Sequence, residues 1–245
     1  MIFVANWKMH GNFNDISKVK TVLNLIKNKK YKKIKIIYCP PFTLLKSFSN
    51  YFNNTKLNVG AQNCYYKSDY GPYTGNVNAK LIKSAGAKYI ILGHSENRNE
   101  GETDLLINQK IKSVLKEKLS IIFCIGETID EKKKKITFQV LKRQISKGLK
   151  GIKNINKIII AYEPVWSIGS GIVPSRNELE KNIKNIKKIL KRFKFKSSVK
   201  ILYGGSVNSK NANEISKIDG IGGLLVGGAS LNSKKFVDII KKTSN

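Results

Sequence analysis

The chain is poor in the residues from which metal clusters, disulfide scaffolds and membrane spans are made. Its 245 residues include three cysteines, Cys39, Cys64 and Cys124. Their number is odd, their spacing is wide and no C-x-x-C pair is present, so neither a zinc site nor a disulfide framework is suggested. They read as reduced thiols in a reducing compartment. No apolar run nears the roughly 20 residues that a membrane span needs. The opening Met1-Ile2-Phe3-Val4 is too short for a signal peptide and reads as a first strand. A P-loop is missing, and so is a Gly-x-Gly-x-x-Gly after a strand, which argues against nucleotides. No linker, repeat array or low-complexity tail interrupts the chain. These absences lead to the expectation of a cytoplasmic protein in which residues 1–245 form a single domain. The 41% of hydrophobic residues can fill one sizeable core, and α/β barrels commonly reach this length as one domain.

Acidic residues are scarce too. There are 16 against 46 basic ones, a net charge of +30. Binding to nucleic acid or to an anionic surface is one reading of such a balance. Arginine, however, occurs only at Arg98, Arg143, Arg176 and Arg192, which leaves 42 lysines. Nucleic-acid readers favour arginine for bidentate contacts. Lysine, asparagine and isoleucine all have A/T-rich codons, so codon bias on solvated faces is the favoured reading. The run Lys132 to Lys135 falls at a loop-to-helix junction without interleaved aromatics. Whatever its origin, the positive field attracts anionic substrates.

What the chain does have is alternation. Short β-branched runs read as strands at Ile2–Asn6, Ile34–Tyr38, Asn58–Ala61, Tyr89–Gly93, Ser120–Ile125, Ile158–Glu163, Lys200–Tyr203 and Gly223–Val226. Between them, sets such as Ile16, Val19, Leu23, Ile26 and Ile183, Ile186, Ile189, Leu190 recur at three- and four-residue spacing, the mark of a helix with one buried stripe. Eight strand–helix repeats predict a closed (β/α)8 barrel. An open doubly wound sheet is the alternative; after the first strand it would usually carry a Gly-rich turn, where only Lys8-Met9-His10-Gly11-Asn12 stands.

Barrel enzymes assemble their sites at the C-terminal ends of the strands. Lys8 follows strand one, Gln62 and Asn63 follow strand three, and His94 ends strand four. Glu163 ends strand six, Ser206 follows strand seven, and Gly227 and Gly228 follow strand eight. All face one end. Glu163 is a lone carboxylate flanked by Tyr162 and Pro164-Val165-Trp166, which argues against a helix cap or a surface glutamate. The loop after it, Ser167-Ile168-Gly169-Ser170-Gly171, offers free backbone N–H groups. A base beside a closing loop is an acid–base site.

The stretch Ala161-Tyr162-Glu163-Pro164-Val165-Trp166-Ser167-Ile168-Gly169-Ser170-Gly171 resembles the catalytic loop of the triosephosphate isomerase family. So, in the family's order, do Asn6-Trp7-Lys8, Gly93-His94-Ser95-Glu96, Tyr203-Gly204-Gly205-Ser206-Val207 and Leu225-Val226-Gly227-Gly228-Ala229-Ser230. The resemblance covers nearly the whole chain. It implies an isomerase that interconverts dihydroxyacetone phosphate and glyceraldehyde 3-phosphate, in glycolysis and gluconeogenesis, with no cofactor and no metal. It makes Glu163 the base that removes a carbon-bound proton. His94 would be the electrophile, with a helix N-terminus disfavouring imidazolium, and Lys8, oriented by Asn6, the fixed charge facing the enediolate. Gly169, Ser206, Gly227 and Gly228 would grip the phosphate through backbone N–H groups, and Glu96 would support the site. The segment from Val165 to Pro174 would be a lid with a hinge at each end. Cys124 would lie near the site, although a small buried hydrophobe is the reading favoured for it. His10 reads as a loop residue. Thr74 would reach a neighbouring subunit's site, which implies a homodimer. A different phosphate-binding barrel isomerase remains an alternative, and a basic nucleic-acid-binding protein is the third reading.

Several positions depart from the family's pattern. Asn97 stands where an arginine is usual, with Arg98 kept after it. Asn76 replaces a glutamate at the tip of the third loop. The stretch from Arg98 to Glu102 looks one residue short, Gly222 replaces a frequent aspartate, and the second lid hinge reads Ile172-Val173-Pro174. These leave the catalytic residues intact and bear on dimer strength and lid motion.

Overall fold

A computed structural model describes residues 1–153, 155–193 and 199–243. Eight parallel strands run β1 (Ile2–Asn6), β2 (Lys35–Cys39), β3 (Leu57–Ala61), β4 (Tyr89–Leu92), β5 (Ser120–Ile125), β6 (Ile158–Tyr162), β7 (Ile201–Tyr203) and β8 (Ile221–Val226). Each pairs with the next, and β8 pairs with β1 in the register Ile2↔Gly223 to Ala5↔Val226. The sheet is therefore a closed barrel without an edge strand, which rules out the open doubly wound alternative.

Alternation along each strand divides the core in two. On β5, Ile121, Phe123 and Ile125 point outward to the helices, and Ile122 and Cys124 point into the barrel. On β6, Ile160 and Tyr162 point outward, while Ile159 and Ala161 point inward. The same parity carried two residues past Ala161 aims Glu163 at the barrel mouth. On β1, Val4 faces in, and Asn6 follows by parity.

Helices cover the outside. The long amphipathic one, α8 (Arg176–Leu190), buries Leu179, Ile183, Ile186, Ile189 and Leu190, and Ser175 caps it by accepting from the Glu178 N–H. The other elements the site uses are α4 (Ser95–Asn99), α5 (Asp104–Lys116) and α6 (Ile129–Lys133). The other α-helices among the described residues are α1 (Lys20–Lys27), α2 (Leu45–Tyr51), α3 (Ala79–Ser84), α7 (Thr137–Gly148), α9 (Ala212–Ser216) and α10 (Ser233–Lys242). The helix expected from Ile16 to Ile26 is instead a 3-10 segment at Phe13–Val19, capped by Asn12 with Asp15, followed by an α-helix at Lys20–Lys27.

β1 and β5 have the expected bounds, and the ends of the other strands differ from expectation by one or two residues. Gly93, Glu163 and Lys200 fall just outside β4, β6 and β7. β8 begins at Ile221, because a register shift lets Ile201 pair with Ile221 before Leu202 pairs with Gly223. No helix among the described residues is long and apolar enough to cross a membrane.

Candidate active site

At the C-terminal mouth of the barrel lies a cavity of about 270 Å³. Asn6, Lys8, His94, Glu163, Gly169, Ser206, Gly227 and Gly228 all line it, so the structure brings together the catalytic and phosphate-gripping candidates. Glu96 is exposed at its edge and reaches it through Lys8. Thr74 lies elsewhere, exposed at the tip of the loop after β3, and makes no part of this cavity. His10 is exposed.

Lys8 has φ +53, a left-handed conformation that costs a side-chain-bearing residue of order 1–3 kcal/mol unless its surroundings fix it. They do. Its N–H donates to Asn6 Oδ1 at 3.0 Å, and Gln62 Nε2 donates to the Lys8 carbonyl at 2.8 Å and to the Cys39 carbonyl at 2.8 Å. The ammonium is drawn to Glu96 Oε1 at 2.5 Å.

His94 is the N-cap of α4, and its Nδ1 accepts from the Glu96 N–H at 3.3 Å. An Nδ1 that accepts places the ring proton on Nε2. That nitrogen looks into the cavity, 3.7 Å from Glu163 Oε1. The His94 ring is buried.

Glu163 is only 3% exposed. Its N–H is tied to the Ile125 carbonyl at 2.8 Å. Burial raises its pKa above the ordinary carboxylate range, opposed in turn by His94, by a hydrogen bond from Cys124 and by Lys8. Its Oε2 is buried without a hydrogen-bond partner among the described residues. A buried acceptor left open is costly, and it belongs to a side chain that lines the cavity. Gly204 makes room for the side chain, since a Cβ there would stand 2.6 Å from Glu163 Cγ. Cys124 is both buried and hydrogen-bonded to Glu163. Burial first, and then the Glu163 charge, hold its thiol protonated.

The segment after Glu163 is anchored at both ends. Trp166 Nε1 donates to Glu127 Oε1 at 2.9 Å, and Tyr162 OH donates to the same buried carboxylate at 3.2 Å. Asn182 on α8 donates to Tyr162 OH at 2.8 Å. Lys132 Nζ lies 3.5 Å from the centre of a Trp166 ring and 2.9 Å from Glu178 Oε1. The lysine run thus does meet an aromatic, one distant in sequence. Farther along, the Gly171 N–H donates to Ser206 Oγ at 3.0 Å, and that hydroxyl donates to the Ser167 carbonyl at 2.6 Å. The segment lies down over the cavity.

A family model described as triosephosphate isomerase matches residues 1–243. The chain belongs to the triosephosphate isomerase family. A triosephosphate isomerase of Alkaliphilus oremlandii is 38% identical over 247 residues, 98% of each chain. One of Thermodesulfovibrio yellowstonii is 39% identical over 242 residues, 97% of each. The crystal structure of triosephosphate isomerase from Bartonella henselae superposes with a TM-score of 0.90 at 32% identity, covering all of this chain and 99% of that one.

Within this family frame, sequence reasoning passed over Glu127, Asn182, Tyr203 and the Ser167 side chain, all of which hold the lid segment. Apart from the Ser167 bond to the Ile172 carbonyl, the partners that tie them to the segment are 20 to 39 residues away in the chain, beyond any local pattern. Cys124 did have a signal, because inward parity on β5 places it beside Ala161 in the register Cys124↔Ala161, next to Glu163. Arg98 works within the chain: it donates to the Gly93 carbonyl at 2.8 Å and to Asp104 Oδ1 at 2.7 Å, joining the end of β4 to α5.

Proposed function

We propose that this cavity carries out the family's reaction, the interconversion of dihydroxyacetone phosphate and D-glyceraldehyde 3-phosphate through an enediolate. Glu163 takes the proton from the carbon beside the carbonyl and returns it to the neighbouring carbon. The Nε2–H of His94 donates to the carbonyl oxygen, and the imidazole carries protons between the two oxygens. Lys8 stabilises the developing negative charge from a fixed position, a contribution typically worth ~10²–10³ in rate for one preorganised donor. Gly169, Ser206, Gly227 and Gly228 take the phosphate through backbone N–H groups, and Glu96 holds Lys8. The closed lid excludes water, which matters because an exposed enediolate expels phosphate. The reading needs no cofactor or metal.

The observation that supports this most is the 3.7 Å between His94 Nε2 and the buried, half-unpartnered Glu163 carboxylate. One group can take a carbon proton while the other serves the adjacent oxygen. A coupled assay with triose phosphate tests it, with other phosphorylated ketoses as the comparison. Turnover of those and not of triose phosphate would favour a different phosphate-binding isomerase. The reading extends to one barrel domain acting as a cytoplasmic homodimer, in which the exposed Thr74 tip meets the second copy's site. With the neutral Asn76 and Asn97 the contact lacks an exposed ion pair worth ~0–1 kcal/mol, so the dimer is weakened yet persists at micromolar concentration. Sedimentation over a dilution series checks this; a fully active monomer throughout would contradict the Thr74 contact.

A further inference from the structure

One fully buried side chain of the lid segment has no role in the resemblance or in the catalytic assignment. We propose that the Ser167 hydroxyl is the latch of the lid, a positioning residue that joins both arms of the segment to β7. This inference rests on the active-site reading above and deepens it.

Ser167 is fully buried. Its Oγ donates to the Ile172 carbonyl at 2.6 Å, which clasps the first arm of the lid to the second across the loop. A hydroxyl has one proton to give, so the 2.9 Å contact with Tyr203 OH must be donated by the phenol. Burial pushes that phenol up to about 12, so it remains a donor at any working pH. The Ser206 N–H adds a longer bond to the same oxygen at 3.4 Å. The single proton and both acceptor positions of this hydroxyl are thus used at once with the lid lying down. Gly205 is shaped to the arrangement: a Cβ there would stand 2.2 Å from Tyr203 OH and 2.5 Å from Ser167 Oγ. Pro174 has no N–H to donate, and the second arm is held through the Ile172 carbonyl and the Gly171 N–H. Loss of the Ser167 hydroxyl removes its bonds to the Ile172 carbonyl, the Tyr203 phenol and the Ser206 N–H together, and leaves the Ser206 hydroxyl on Gly171 and on the Ser167 carbonyl.

The lid protects the enediolate from losing phosphate. In that side reaction the enediolate electron pair expels phosphate, the carbon–oxygen bond to it breaks, and the enol left behind becomes methylglyoxal. The test compares wild type, Ser167→Ala, Tyr203→Phe and the double variant. Each is assayed for kcat and KM on glyceraldehyde 3-phosphate, for inorganic phosphate released per turnover, and for phosphoglycolate affinity. The latch predicts that Ser167→Ala lowers kcat and phosphoglycolate affinity by about tenfold, the scale of a buried hydrogen bond or two, and raises phosphate release per turnover by a similar factor. The loss should be larger on the phosphorylated substrate than on glyceraldehyde, which gives the lid no phosphate to close upon. Tyr203→Phe should move the same readouts in the same direction, and the double variant should fall no further than Ser167→Ala. If Ser167→Ala does not fold, Tyr203→Phe still carries the phosphate-release readout. Unchanged phosphate release in the folded variants, or losses that multiply in the double variant, would overturn the latch. Phosphoglycolate that fails to protect even the wild-type lid from proteolysis would overturn the active-site reading, and the latch with it.

Discussion

Two residues carry opposite kinds of cost at this site. Lys8 takes an unfavourable backbone angle and is held there by Asn6 and Gln62. Glu163 takes an unfavourable environment, with one buried oxygen open and a pKa raised chiefly by burial. The second cost has a defined sign. A carboxyl whose folded pKa is raised contributes stability that is fully present below its unfolded pKa, about 4.3, and is lost as pH rises through the folded value. Glu163→Gln should therefore stabilise the fold by about 1–3 kcal/mol at neutral pH, with a gap over wild type that widens from pH 4.5 to pH 8. Urea midpoints at the two pH values measure it, and a gap that narrows as pH rises would count against the buried-base assignment. In the proposed mechanism His94 makes its essential contact as charge develops on the substrate oxygen. His94→Gln should lower kcat by at least tenfold while moving KM far less, as steady-state kinetics would read. At this scale the sequence was legible where a motif surrounds the residue, as at His94 and Glu163. It was mute at Glu127, whose meaning depends on Trp166 arriving from 39 residues away.

The elements were readable in proportion to how strongly their pattern repeats. The isoleucine stripe of α8 is regular, so that helix lies where the spacing puts it. The first helical stretch has the same spacing, yet it begins as a 3-10 segment because the Asn12 and Asp15 cap draws the chain into a tighter turn. β8 starts two residues before the expected Gly223, since the β-bulge at Gly222, where two β8 steps oppose one of β7, leaves no trace in hydrophobic alternation. In the proposed mechanism the lid is the element on which function turns. Its N-terminal hinge is pinned by Glu127 and Lys132 through Trp166, and Pro174 fixes φ near −65° and restricts Val173 at the other end. The exposed stretch between, residues 169–172, is the place where a protease can enter when the lid lifts. Phosphoglycolate should suppress limited proteolysis between Ile168 and Ile172, and sodium chloride of equal ionic strength should not. Equal cleavage in both samples would remove the link between this loop and phosphate.

At the scale of the molecule, the barrel was legible because eight strands of matching parity leave few closures other than a ring. What local reading could not supply is which of the 42 lysines matter, because that depends on the direction of the summed field. A net charge of +30 should steer a dianionic substrate toward the mouth where Lys8 sits. Exposed charges are screened over about 8 Å at physiological ionic strength, so kcat/KM should fall with added sodium chloride. Sulfate would be the wrong salt, because it competes for the phosphate position. A flat profile would place the charge away from the approach path, or leave chemistry as the slow step.

The central claim is that Glu163 moves a proton between two carbons. Dihydroxyacetone phosphate incubated with the protein in D2O reports on that step directly, because the base exchanges its proton with solvent before giving it back. The account predicts deuterium appearing on the carbon-bound positions with wild type. It predicts incorporation slowed ~10²-fold with Glu163→Asp, whose carboxylate retreats by about one ångström, a misplacement that can cost that much. Deuterium incorporation by Glu163→Asp at the wild-type rate, in a variant with an unchanged fold, would contradict it.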